Sequence, residues 1–186
     1  MLAYVFWHVA AAGTGREDYE TRLAGFHAAL RDDPSPGLGA TATFGLRGVP
    51  WLGDRGGYED WYLVADFAAL GALNEAAVSG SRHAPHDAAA AHAAAGVAGV
   101  MGHVAGPLLP APPAWAAWLA KPAGTPYAAW HAALAGAAGP AAAVWQRQMT
   151  LGPGPEYCVL AAEPCELEPL HAWDLRAVVA PSRTDG

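Results

Sequence analysis

The same unit is written twice in this chain, and no other feature constrains its folding as much. Phe26-His27-Ala28-Ala29-Leu30 recurs as Trp130-His131-Ala132-Ala133-Leu134. A Gly-Thr pair precedes each copy, Gly13-Thr14 and Gly124-Thr125, behind a Trp-containing apolar run. Downstream, residues 65–78 align with 162–175, which places Leu70 on Leu167 and Leu73 on Leu170. In a chain of 186 residues, a repeat of about half its length favours two small modules packed together. A module of that size would be only marginally stable alone.

Hydrophobic periodicity gives each module the same plan. In the first, strands are predicted over 2–9, 40–46, 58–65 and 97–104. A helix over 14–30 carries Tyr19, Leu23, Phe26 and Leu30 on one face, with Thr14-Gly15-Arg16-Glu17 read as a capping box. A second helix from residue 67 breaks at Ser79-Gly80-Ser81 and resumes over 85–95. Residues 107–114 form a Pro-rich linker between units at 1–106 and 115–186. In the second unit strands are predicted over 115–120, 142–151, 156–162 and 175–180. Its helices are expected from Thr125-Pro126 to residue 135 and over 167–173, and residues 181–186 make a polar tail.

Each unit thus reads β-α-β-β-α-β, the ferredoxin-like split βαβ plan, an α+β fold with an antiparallel sheet and helices on one face. The free sheet face, read as including Tyr4, Phe6, Phe44 and Val100, needs a cover, and the expected solution is two antiparallel sheets packed face to face as an α/β barrel. The element order resembles the dimeric α/β barrel superfamily in a fused, two-repeat form. That superfamily holds antibiotic-biosynthesis-type monooxygenases, haem-degrading monooxygenases and chlorite-dismutase-like proteins. The likeness covers nearly the whole chain in element order; its closest local match runs from Leu73-Asn74-Glu75 to His86.

Composition excludes several classes. The net charge of −7 and scattered basic residues give no footprint for nucleic acid or an anionic membrane. No apolar run approaches the ~20 residues that span a bilayer, and the start lacks a basic leader region, so a cytoplasmic location is expected. Cys158 and Cys165 read as buried small side chains, not a disulfide. There is no P-loop, dinucleotide-binding glycine turn, G-x-S-x-G elbow or CxxC pair.

Candidate site residues come from strand alternation. Tyr4, Phe6 and His8 share one face against Val5, Trp7 and Val9; Trp61 and Leu63 oppose Tyr62 and Val64; Met101 and His103 oppose Val100. In the barrel the cavity is expected between the two sheet faces. The polar candidates for it are His8, Thr43, Arg47, Tyr62, His103 and one of Arg147 or Gln148, with Trp61 adding to the aromatic wall. The resemblance implies a cofactor-independent, monooxygenase-like reaction, with His8 or His103 as base and Arg47 stabilising an anion. It also implies two alternatives: a non-catalytic ligand-binding or stress-associated protein, and a haem-binding variant using His83 or His86, residues that with Asp87 are also weak metal candidates. Otherwise no cofactor is expected. The implied partner is a small molecule, and the state a monomer or homodimer. His27 and His131 are read as structural, at helix contacts. Trp51 is expected to cover either the barrel mouth or a second subunit.

Overall fold

A computed structural model describes residues 1–53, 56–110 and 113–183 of the chain. Within the expected loops, linker and tail, residues 54–55, 111–112 and 184–186 lie outside the described residues. Period-two alternation builds β1 (Leu2–Ala10), β2 (Leu38–Leu46), β3 (Gly57–Val64) and β4 (Ala93–Ala105) in the first half. The second half contributes β5 (Trp115–Leu119), β6 (Ala143–Arg147), β7 (Tyr157–Ala161), β8 (His171–Asp174) and β9 (Arg176–Arg183). The described residues hold four α-helices: α1 (Arg16–Asp32), α2 (Phe67–Ala77), α3 (Gly80–Ala90) and α4 (Tyr127–Ala138).

The fold is α+β, and the nine strands of the described residues form one antiparallel sheet ordered β8-β5-β7-β6-β4-β1-β3-β2-β9. The first four strands of each half lie in the same order, fourth-first-third-second, and β4 beside β6 and β2 beside β9 join the halves. β8 and β9, at opposite ends of that order, are separated in the chain by Leu175 alone.

One sheet face buries a single core that draws on both halves. Val5, Trp7, Phe44, Trp61 and Met101 pack there with Trp118, Trp145, Leu160 and Trp173. Trp51, on a 3₁₀ turn at Pro50–Leu52, stands edge-on to Trp7 and Trp118 at 5.3 Å each and to Trp173 at 5.5 Å, closing over this core. The other face carries the helices. Phe26 and Leu30 of α1 and Leu73 of α2 pack on Tyr62 and Val64, and Leu134 of α4 packs with Val144, Tyr157 and Val159.

Local chemistry corrects several expectations. α1 starts after Gly15 with no side-chain cap, and the Thr14 hydroxyl lies 3.4 Å from His92 Nδ1, so the expected capping box does not form. Glu17 and Asp18 in the first turn and Arg31 in the last still complement the helix dipole. α4 likewise begins without a side-chain cap, after Pro126. α3 begins at Gly80 and accommodates Pro85 internally, five residues earlier than expected. Arg82 anchors it, donating to Ala76 O at 2.8 Å and pairing with Asp33 at 2.8 Å. The helix expected over 167–173 is absent: Glu163–Leu170 has no regular structure and residues 171–174 form β8. Leucines alone do not hold a helix where Pro164 and Pro169 interrupt so short a segment. Cys158 and Cys165 are both free thiols. No helix among the described residues is long and apolar enough to cross a membrane.

Gly106, after β4, has φ +79°, and a Cβ there would stand 1.8 Å from Ala142 O. Gly106→Ala is therefore expected to destabilise the fold by about 2 kcal/mol or more, measured by urea denaturation. An unchanged midpoint would show that this junction is slack.

Candidate functional site

The helices do not close tightly on the first half's sheet. They leave a cavity of about 680 Å³, within the usual range for small-molecule sites. Its floor is the helix-side face of the sheet: Tyr4, Phe6 and His8 of β1, Asp60 and Tyr62 of β3, and Val100 of β4. Tyr19, Leu23 and Phe26 of α1 form one wall. Leu70, Leu73 and Asn74 of α2, with His86 and Ala89 of α3, form the other. Phe67 and Val78, each about half exposed, stand at the rim.

At the polar end of this floor lies Asp60, 3% exposed. An ionised carboxylate so deeply buried needs donors on all sides. Thr43 Oγ1 donates to Oδ1 at 2.7 Å and Tyr62 OH to Oδ2 at 3.1 Å. His8 Nε2 lies 3.2 Å from Oδ2, and His27 Nε2 lies 3.8 Å from Oδ1 while bonding Thr43 Oγ1 at 2.9 Å. Burial alone would raise the Asp60 carboxyl, but His8 and His27 together hold it below the usual carboxylate range. Because Thr43 spends its proton on Asp60, His27 Nε2 donates to the threonine.

His8 continues the chain outward. Its Nδ1 meets Tyr19 OH at 2.8 Å, and its ring stacks with Phe6 at 5.0 Å and with Tyr58 at 5.5 Å. Burial raises the Tyr19 hydroxyl above its ordinary value, with Asp60 and Tyr58 adding to the shift, so Tyr19 holds its proton. The arrangement Tyr19 O–H···Nδ1 and Nε2–H···Asp60 has the logic of a hydroxyl, imidazole and carboxylate in series. The carboxylate fixes the ring and stabilises charge that forms on it when Nδ1 takes a proton.

The second half supplies an internal comparison. Asp60 sits in register between Phe6 and Thr43, and Val159 sits in register between Ala117 and Val144. His8 faces Tyr58 across the sheet, and Leu119 faces Tyr157. At the matching positions, then, Asp60, Thr43 and His8 are replaced by Val159, Val144 and Leu119, all buried. The sheet builds this layer from apolar residues alone, so packing does not require the charged cluster of the first half. His131, the counterpart of His27, bonds Tyr157 OH at 3.0 Å.

Next to Asp60, Glu59 points to the opposite face and is fully buried among tryptophans. It accepts from Trp7 Nε1 at 3.0 Å and from Trp61 Nε1 at 2.9 Å. Burial pushes its carboxyl up to about 7, against the opposite pull of the two indole N–H groups. Its register counterpart is Cys158.

Of the residues singled out from sequence, His8 and Tyr62 line the cavity and Thr43 lies beneath it, bonded to Asp60. The others are elsewhere. The space expected between sheet faces is filled by the tryptophan core, and Trp61 belongs to that core. Arg47 is exposed beyond the end of β2, so it stabilises nothing in the cavity. His103 is half-buried on the core face against Trp145 at 5.1 Å. Arg147 lines a separate shallow cleft with Trp51 and His171 and donates to the Gly152 and Gly154 carbonyls. Gln148 donates to Gln146 O at 3.3 Å. His83 is exposed and His86 borders the cavity; each lies 3.0 Å from the Asp87 carboxylate. Among the described residues no cluster of three or more His, Cys, Asp or Glu side chains is placed to hold a metal ion.

Asp60, Glu59 and Tyr19 are not among the site candidates that the sequence offers. The signal for the first two was present: adjacent carboxylates within the otherwise aromatic strand Tyr58-Glu59-Asp60-Trp61-Tyr62 are costly to bury without purpose. Comparison with protein-family models matches no family to this chain, and comparison with curated proteins finds no match.

Proposed function

We propose that this chain is a small-molecule-binding α/β barrel protein whose ligand occupies the first-half cavity, over the Tyr19–His8–Asp60 series. The fourth-first-third-second strand order of each half supports tandem ferredoxin-like units. The single-residue step from β8 to β9 supports closure of the sheet into a barrel around the tryptophan core. This is the fused form of the superfamily that the element order resembles. One observation carries the functional reading: a buried acid–base cluster faces a ligand-sized cavity in the half that has it, while Leu119, Val144 and Val159 do the same structural work without charge in the other half.

In its enzymatic form the reading is a cofactor-independent, monooxygenase-like reaction in which Tyr19 passes its proton to His8 Nδ1 as it takes one from the bound substrate, with Asp60 backing the charged ring. A second reading, a non-catalytic binder, is favoured by the fact that both His8 ring nitrogens are already engaged, by Tyr19 and Asp60. Both readings place the ligand in the same cavity.

Titration with 2-naphthol, followed by protein fluorescence, tests that placement. Saturable binding is expected. It should be abolished by Leu70→Trp, which fills the cavity, and retained by Trp51→Ala at the far cleft. Binding that survives Leu70→Trp would contradict the assignment.

A further inference from the structure

We propose that the first-half cavity selects an organic cation, a planar aromatic amine or protonated nitrogen heterocycle, over carboxylates and phosphates of the same size. The inference rests on the cavity being the ligand site and adds the charge of what it takes.

The lining contains one carboxylate, Asp60, and neither lysine nor arginine. The arginine expected to meet an anion, Arg47, is exposed elsewhere, and Arg82 is spent on Asp33 and the Ala76 carbonyl. The two lining histidines do not replace them. His8 has Tyr19 on one ring nitrogen and Asp60 on the other, and His86 faces the carboxylate of Asp87. An anion entering this space would give up its water, meet neither lysine nor arginine and sit near Asp60.

A cation meets the reverse. Tyr4, Phe6, Tyr19, Phe26, Tyr62 and Phe67 all border the cavity, and their ring faces attract positive charge. The Tyr4 and Tyr62 hydroxyls, raised by burial and by the Asp60 charge, keep their protons and stay neutral. The proton chemistry is consistent with this choice. A proton passed from an ammonium group to His8 leaves a neutral amine beside the His8–Asp60 pair, whereas a proton passed to His8 from a neutral acid leaves a second anion near Asp60.

Three probes sharing one ring system isolate the charge: 2-naphthylmethylamine, 2-naphthol and 2-naphthoate, titrated against the whole protein at pH 7 by calorimetry. The expected result is that the amine binds at least ten-fold more tightly than the naphthoate, with naphthol between. Leu70→Trp should remove amine binding, and Asp60→Asn should reduce the preference. Should Asp60→Asn fail to fold, Phe6→Leu, which removes one ring face, should weaken the amine more than the naphthol. Naphthoate binding as tightly as the amine would overturn the charge inference and leave the cavity assignment standing. Amine binding that persists in Leu70→Trp would mark it as attraction to the acidic surface and overturn the inference. If none of the three probes binds, the cavity assignment falls and takes this inference with it.

Discussion

Replacing Asp60 with valine, the residue at the matching position of the second half, should destabilise the protein by roughly 3–5 kcal/mol, the usual cost of removing one side of a buried charged network. The substitution strands the Thr43 and Tyr62 hydroxyls and the His8 Nε2 group, all of which point at the missing carboxylate. Adding His8→Leu and Thr43→Val, again copying Leu119 and Val144, removes two of those stranded groups and strands one other, His27 Nε2, a net relief of one buried group. The triple variant should therefore be more stable than the single variant by about 1–3 kcal/mol. Tyr19 and Tyr62 border the cavity, where water can receive their hydroxyls. Urea denaturation of the wild type, the single and the triple variant measures this. Additive losses, with the triple variant the least stable, would show that the cluster is not an energetically coupled unit. The same triple variant should bind aromatic probes without any proton chemistry.

Glu59 gives the second large effect. Its folded value of about 7 stands above the ordinary 4.5, so the folded protein holds this proton more tightly than the unfolded chain does. The resulting stabilisation is fully present below about 4.5 and is lost as pH rises through 7, a difference on the order of 3 kcal/mol. Asp60 shifts the other way. Its contribution is present above the ordinary carboxylate range and is lost only in strong acid, so it adds no slope over the same window. Relative to Glu59→Gln, the wild type should lose stability between pH 5 and pH 8. Denaturation of both proteins at the two pH values checks this, and parallel profiles would contradict a buried, titrating Glu59. Since Trp7 and Trp61 both bond this carboxyl, their fluorescence should change over the same interval.

Much of the architecture was legible in the sequence because alternation and helical spacing are local. Tyr4, Phe6 and His8 do share a face, opposite Val5 and Trp7, and Tyr62 does oppose Trp61. Alternation cannot say which of those faces the helices will cover, because that follows from how each crossover packs back on the sheet. Tyr4, Phe6 and Val100 were thus placed on the face that meets the other half, when they lie under the helices. His103 was grouped with His8 although Met101 and His103 belong to the opposite face. The second helix of the second half was read from Leu167 and Leu170, and prolines at 164 and 169 overrode that spacing. The acid–base cluster was hidden for a different reason. Its members stand at 8, 19, 27, 43 and 60, on three strands and a helix, and only the strand register and the packing of α1 on the sheet bring them together. The Asp60 partnership stands out once Val159 is seen in its place in the second half.

If the ligand binds between helices and sheet in the first half, over His8 and Asp60, two-dimensional NMR of the histidine and aromatic ring signals during titration with 2-naphthol should show it. His8, Phe6, Tyr62 and His86 are expected to shift together while His103 and Trp145 stay in place. Shifts gathered instead on Trp51 and His171, beside Arg147, would move the site to the far cleft and contradict that placement.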